Sequence, residues 1–214
     1  MTNKTQDEIS LDDAYALETP QDSIKLYSKW AETYDQSFAK EYDYNAPDII
    51  AEDYARLCHD KTAPVLDIGA GTGLVGEGLI KRGVSVIDAL DITAQMLEVA
   101  GKKNIYRNLI LGDLTQTLDI ADNSYGGFTS SGTFTHGHVG PEAFDELIRI
   151  GRPGALYVLS IRSSIFESAG FKAKFEALAA HIRDFEVIEK SLYGKSAKPE
   201  LRNSTSSVTI FRKA

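Results

Sequence analysis

From residue 64 onward, short apolar runs alternate with longer segments whose apolar positions recur every three or four residues. The runs at 65–68, 84–90, 108–111, 125–131 and 156–161 have the length and β-branched content of buried strands. Helical spacing fills the gaps at 74–82, 93–101 and 141–150, with Gly83 and Gly151 marking two of the stops. Strand–helix alternation of this kind predicts a parallel sheet with right-handed crossovers and helices on both faces. The ending differs. After a helix at 167–181, strands at 186–192 and 206–211 follow one another with no helix between them. They must pair antiparallel, because a parallel return needs a long crossover. The fold class read from this pattern is α/β, a doubly wound, mostly parallel, Rossmann-like sheet.

The segment before residue 64 is patterned for helices alone. Residues 1–21 form an acidic arm with a short helix near 11–17, which Thr19-Pro20 breaks, since a residue before proline avoids the helical region. Asp22 or Ser23 caps a helix reaching about residue 38, with Ile24, Tyr27, Trp30 (or Ala31) and Tyr34 at helical spacing. A second helix covers 47–59, with Pro47 in its first turn. The organisation is an arm (1–21) and one domain (22–214), helical over 22–60 and sheet-based over 61–214.

The strand at 65–68 runs into Gly69-Ala70-Gly71-Thr72-Gly73, a turn whose glycines let backbone approach a ligand with no Cβ in the way. Gly71, Gly73 and Gly76 also spell G-x-G-x-x-G, which alone would equally fit NAD. Asp67, just before the turn, is read as the discriminator. A carboxylate there would repel a pyrophosphate but suit the ammonium end of S-adenosylmethionine. The competing reading is a tight turn whose aspartate only caps the helix.

Asp91 closes the second strand, where an acidic group accepts both ribose hydroxyls in nucleoside-binding sheets. Asp88 in the same strand is read as a solvated or edge charge. Ile92 and Met96 are candidates to pack on an adenine face, or ordinary core. Asp113 is placed to accept an adenine amino group while the Leu114 N–H meets a ring nitrogen; the alternative is a plain strand terminator. Ser130 ends the fourth strand beside the crevice where open α/β sheets bind ligands.

Composition removes several function classes. Lys and Arg number 23 against 31 Asp and Glu, a net charge of −8 with no basic cluster, which argues against nucleic acid and anionic membranes. No stretch of apolar residues is long enough to cross a bilayer. A single cysteine, Cys58, fits a reducing, cytoplasmic setting.

VLDIGAGTGLVGEGL, ALDITAQMLEVA, GDL and RPGALYVLSI together resemble the successive motifs of class I S-adenosylmethionine-dependent methyltransferases. DAYALETPQDSIKLYSKWAETYDQSF and SSGTFTHGHVGPEAFDELIRI resemble the branch of methyltransferase-like proteins related to the one named for the Williams–Beuren region. The resemblance implies S-adenosylmethionine as cofactor and a seven-stranded sheet in the order 3-2-1-4-5-7-6 with strand 7 antiparallel. It also implies a lid role for the helices at 22–60, bringing Tyr27 and Tyr34 to the methionine end, where an aromatic ring beside a sulfonium gives cation–π attraction. Read from spacing alone, the same rings are a core stripe. The chain departs from many relatives at Gly126-Gly127, where an aspartate is usual; the expected consequence is in packing.

Methyl transfer demands alignment and exclusion of water, with a base only for an acceptor protonated at working pH. His136 is the candidate base, with His138 two residues on; the alternative is loop histidines bonded to backbone. As a metal pair they lack completing ligands, apart from Glu142. The expected acceptor is a small molecule beneath the lid, and a protein side chain is the second option. The rival classes are an NAD(P)-binding oxidoreductase and a non-catalytic nucleoside-binding module.

Overall fold

A computed structural model describes residues 19–214 together with Ile9, Asp13, Ala14, Ala16 and Leu17. Of the helix expected near 11–17, Asp13 and Ala14 are helical, and residues 11, 12 and 15 lie outside the described residues. In chain order the elements are α1 (Pro20–Trp30), a π-helical segment (Asp35–Lys40), α2 (Ala46–Leu57), β1 (Val65–Ile68), α3 (Leu74–Lys81), β2 (Ile87–Asp91), α4 (Ala94–Lys102) and β3 (Asn108–Leu111). Then come β4 (Tyr125–Phe134), α5 (Ala143–Ile150), β5 (Gly151–Arg162), a 3₁₀ turn (Ser163–Ile165), α6 (Phe171–Ala177), β6 (Ile182–Ser191), α7 (Pro199–Arg202) and β7 (Thr205–Lys213).

The seven strands form one sheet in the order β3-β2-β1-β4-β5-β7-β6. Pairing is parallel from β3 to β5 and antiparallel where β7 inserts between β5 and β6. The predicted topology is the observed one. Strand order reverses between β1 and β4, so the carboxyl ends of β1, β2 and β4 open a crevice at the place where such sheets bind ligands.

Aromatic side chains knit the central strands. Phe128 on β4 stacks on Tyr157 of β5, and Tyr157 on Phe211 of β7, each at 4.4 Å between ring centroids. All three are fully buried, each contributing about 1.5–3 kcal/mol of transfer free energy. On the other face, Tyr54 of α2 fills the space left by Gly127, where a Cβ would overlap the tyrosine hydroxyl. The glycine in place of the usual aspartate is therefore a packing feature.

Several local expectations need correction. The α1 cap is Thr19 rather than Asp22 or Ser23. Thr19 Oγ1 accepts from the Asp22 N–H at 3.2 Å and the Asp22 carboxylate accepts from the Thr19 N–H at 3.1 Å, a capping box with Pro20 at the first helical position. The helix stops at Trp30 instead of reaching residue 38, and the chain resumes as the π-helical segment. Strand β2 starts at Ile87 because the Val84 N–H still bonds the Leu79 carbonyl of α3. The helix expected over 167–181 is confined to Phe171–Ala177, with Gly170 as its left-handed N-cap. Asp88 is a buried anchor, and the expectation of a solvated charge fails. It accepts from Arg107 Nε (2.9 Å) and Nη2 (2.6 Å), from the Tyr125 hydroxyl (2.8 Å) and from the Asn108 amide (3.1 Å). Burial would raise its pKa, but these bonds and the guanidinium charge hold it below the ordinary carboxylate value.

Candidate active site

The loop after β1 is the floor of a solvent-open cleft. Gly69 and Gly71 both take left-handed backbone, with φ of +59° and +54°. Their surroundings differ. A Cβ on Gly69 would run into the Thr133 hydroxyl, whereas one on Gly71 would meet no protein atom within 4 Å. Gly71 therefore keeps backbone exposed to open space, as close approach by a ligand requires. Gly73 sits behind the loop, where its N–H closes the turn on the Ala70 carbonyl at 2.8 Å.

Asp91 at the end of β2 is held from two sides. The Gly71 N–H donates to its Oδ2 and the Thr93 N–H to its Oδ1, both at 2.8 Å. A carboxylate has about four acceptor positions, so the two bonds fix its orientation and leave capacity toward the cleft. Burial raises the Asp91 pKa while the amide bonds pull it down, and the net direction is upward. Ile92, Met96 and Leu114 line the cleft beside it. Asp113 does too, with Oδ1 taken by the Thr115 N–H (2.8 Å) and hydroxyl (2.7 Å), an arrangement that fixes the second oxygen.

The helical segment before the sheet forms the opposite wall, through Tyr27 and Tyr34. Polar clamps dock it on the sheet domain. The Ser28 hydroxyl donates to Gln95 at 2.8 Å, Lys102 pairs with Glu32 at 2.8 Å, and Asp35 accepts from both Thr72 of the glycine loop and Lys103. Asp35 thus ties this wall to the loop the cleft is built on.

Ten of the sequence-predicted residues meet in the cleft: Gly69, Ala70, Gly71, Asp91, Ile92, Met96, Asp113, Leu114, Tyr27 and Tyr34. Four do not line it. Asp67 is fully buried beneath the loop, its Oδ2 accepting from the Tyr106 hydroxyl at 2.7 Å and its Oδ1 from Thr129 at 3.3 Å. Burial raises its pKa to about 7, against the lowering effect of those two bonds. A carboxyl so placed supports the floor of the cleft from beneath and does not line it. Ser130 points back into the sheet, donating to the Ile68 carbonyl at 2.8 Å, and Ser131, Gly132 and Thr133 take its place in the lining. Gly73 is the third.

His136 is the fourth, exposed and outside the cleft. The histidine that faces it is His138. His138 Nδ1 lies 3.1 Å from the His136 carbonyl and 2.8 Å from the Thr135 hydroxyl; in the tautomer with the proton on Nδ1, the ring donates to that carbonyl. In that tautomer Nε2 is the acceptor for the Tyr27 hydroxyl, 3.2 Å away. Burial, the largest influence, holds the His138 pKa below its ordinary 6.5, so the ring is a neutral base near pH 7.

A methyltransferase-domain family model matches residues 66–159, the stretch from β1 through β5 that carries the loop, Asp91 and Asp113. Over these residues the chain carries a methyltransferase domain. Human methyltransferase-like protein 27 is 29% identical over 144 residues, 66% of this chain and 58% of that protein. The demethylmenaquinone methyltransferase of Renibacterium salmoninarum is 34% identical over 96 residues, 45% of this chain and 40% of that enzyme. The chain thus spans about half the length of these curated relatives. A SAM-dependent methyltransferase from Aquifex aeolicus superposes with a TM-score of 0.59 at 18% identity, covering 86% of this chain and 97% of that one, a likeness of fold.

Proposed function

We propose that the protein transfers a methyl group from S-adenosylmethionine to a small molecule bound beneath the N-terminal helical wall. The observation that carries this reading is the Gly71–Asp91 pair: exposed backbone with open space above it, and a fixed carboxylate with spare acceptor capacity at its side. In this reading Asp91 accepts the ribose hydroxyls, Ile92 and Met96 cover the adenine, Asp113 and the Leu114 N–H meet its polar edge, and Tyr27 and Tyr34 flank the sulfonium end. When bound, the cofactor supplies an already activated methyl group. The chain's share is to hold the acceptor in line, to exclude water with its aromatic wall, and to receive a proton at His138.

Against an oxidoreductase on a similar sheet, the support comes from the antiparallel ending and the family match, since Asp67 does not line the cleft. The net charge of −8 favours a small acceptor over nucleic acid, and the lone cysteine favours a reducing, cytoplasmic setting. Among the described residues no helix is long and apolar enough to cross a membrane. The test is incubation of the purified protein with S-adenosylmethionine and fractionated small-molecule extracts. Acceptor-dependent formation of S-adenosylhomocysteine is expected. Binding of the cofactor without turnover across broad extracts would favour the non-catalytic module.

A further inference from the structure

Beside the cleft lies a second, smaller, solvent-open cavity, sharing Tyr27, Tyr34, Tyr44, Gly132 and His138 with the first. One side is aromatic: Trp30, Tyr34, Phe38, Tyr44 and Tyr193 form a continuous chain of rings with successive centroids 4.9–5.3 Å apart. The other side is the end of the β5–β7 pair. Ser160 lies at the junction, where its hydroxyl accepts from the Gly132 N–H at 3.3 Å. Arg162, two residues further along β5 on the same face and about 7 Å away, pairs in register with Ser206 and lines the second cavity alone. The chamber therefore has a middle lined by mutually inclined aromatic rings, the Tyr27–His138 pair at the end facing the first cleft, and Arg162 at the other.

Resting on the proposed function, the geometry points to the acceptor class: a planar aromatic ring bearing a hydroxyl at one end and an anionic group, such as a carboxylate, at the other. The ring packs among the aromatic side chains, and the anion binds Arg162, whose five donors allow it to share the guanidinium with an existing partner. The hydroxyl lies at the junction, donating to the Tyr27 oxygen, which itself donates to His138 Nε2. The acceptor's O–H proton then has a path to Tyr27 as the tyrosine proton moves to Nε2. Its electron pair stays on the acceptor oxygen, and His138 becomes the imidazolium that returns a proton to solvent. Tyr27 touches the acceptor; His138 acts through it.

Trp30, the sole tryptophan of the chain, lines this chamber and reports its occupancy without turnover. The full chain is titrated with 4-hydroxybenzoate, benzoate, phenol and cyclohexanecarboxylate while tryptophan fluorescence is followed, and S-adenosylhomocysteine binding is measured separately by calorimetry. Saturable quenching is expected, with 4-hydroxybenzoate binding roughly tenfold or more tightly than phenol, as a charge-assisted bond requires. The saturated-ring carboxylate should bind more weakly than benzoate. Arg162→Gln should erase the preference over phenol while leaving S-adenosylhomocysteine affinity unchanged, and Arg162→Lys should recover part of it. Tyr27→Phe should erase the preference for 4-hydroxybenzoate over benzoate. No quenching by any aromatic probe, or equal affinity for the saturated ring, overturns the inference even if S-adenosylhomocysteine binds. Failure of S-adenosylhomocysteine to bind would instead overturn the functional reading beneath it.

Discussion

Gly71 donates its backbone N–H to the Asp91 carboxylate across twenty residues of sequence, at 2.8 Å. The bond joins the end of β2 to the loop after β1, and it turns two separate motifs into one rigid cradle. The loop's shape and the carboxylate's aim depend on each other. Asp91→Ala should therefore weaken S-adenosylhomocysteine binding by about 1–3 kcal/mol, from lost bonds to a charged group. Calorimetry reads this directly, and unchanged affinity would place the ribose elsewhere.

The two histidines separate cleanly. Once an acceptor is in hand, His138→Ala should lower turnover roughly a hundredfold or more, the ordinary worth of a positioned base. His136→Ala should leave turnover and cofactor affinity near wild type, because His136 is exposed and lines neither cavity. Burial lowers the His138 pKa, so the acid limb of kcat/KM should fall below pH 6.5 and vanish in the His138 variant. Equal losses in both variants would assign the proton step to another group.

Asp67 makes a stability prediction rather than a binding one. Its pKa is about 7 in the fold against an ordinary 3.8, so the native state keeps a proton that the unfolded chain releases between those values. Stability from this group is full below about pH 4 and is lost as pH rises toward 7. Asp67→Asn removes the titration, so relative to wild type the variant should gain on the order of 2 kcal/mol between pH 5 and pH 8. Urea midpoints at the two pH values check it; parallel profiles would mean Asp67 ionises normally.

Gly127→Ala tests the packing of α2 on the sheet. The added methyl overlaps the hydroxyl of the buried Tyr54, so a loss of about 1–3 kcal/mol is expected. Chemical denaturation measures it, and adding Tyr54→Phe should recover part of the loss. A neutral effect would mean the α2 contact is loose.

The parts legible in the sequence are those dictated by backbone constraints. β1 and β3 begin and end where the apolar runs do, and the antiparallel ending follows from the lack of a long crossover, although the four-residue helix α7 lies in the connection where no helix was expected. Asp91 was legible because strand end and glycine loop converge at the switch point. Side-chain facing was harder to read. All four residues of β1 are buried, so nothing in its pattern shows which side of the loop Asp67 takes. Ser130 and Ser131 differ by one step of the pleat, and identical residues carry no parity signal. His136 and His138 flank Gly137, whose φ of +76° turns the loop and brings the second ring inward. A glycine between two histidines was the available hint. Thr19 was hidden because the proline after it reads as a break, although proline at the first helical position is equally a start.

The measurement that bears most directly on the account is calorimetric titration of the protein with S-adenosylhomocysteine and, in parallel, NAD. One-site, micromolar binding of S-adenosylhomocysteine with no heat from NAD is the expected result. Binding of NAD with none of S-adenosylhomocysteine would contradict the account at its root.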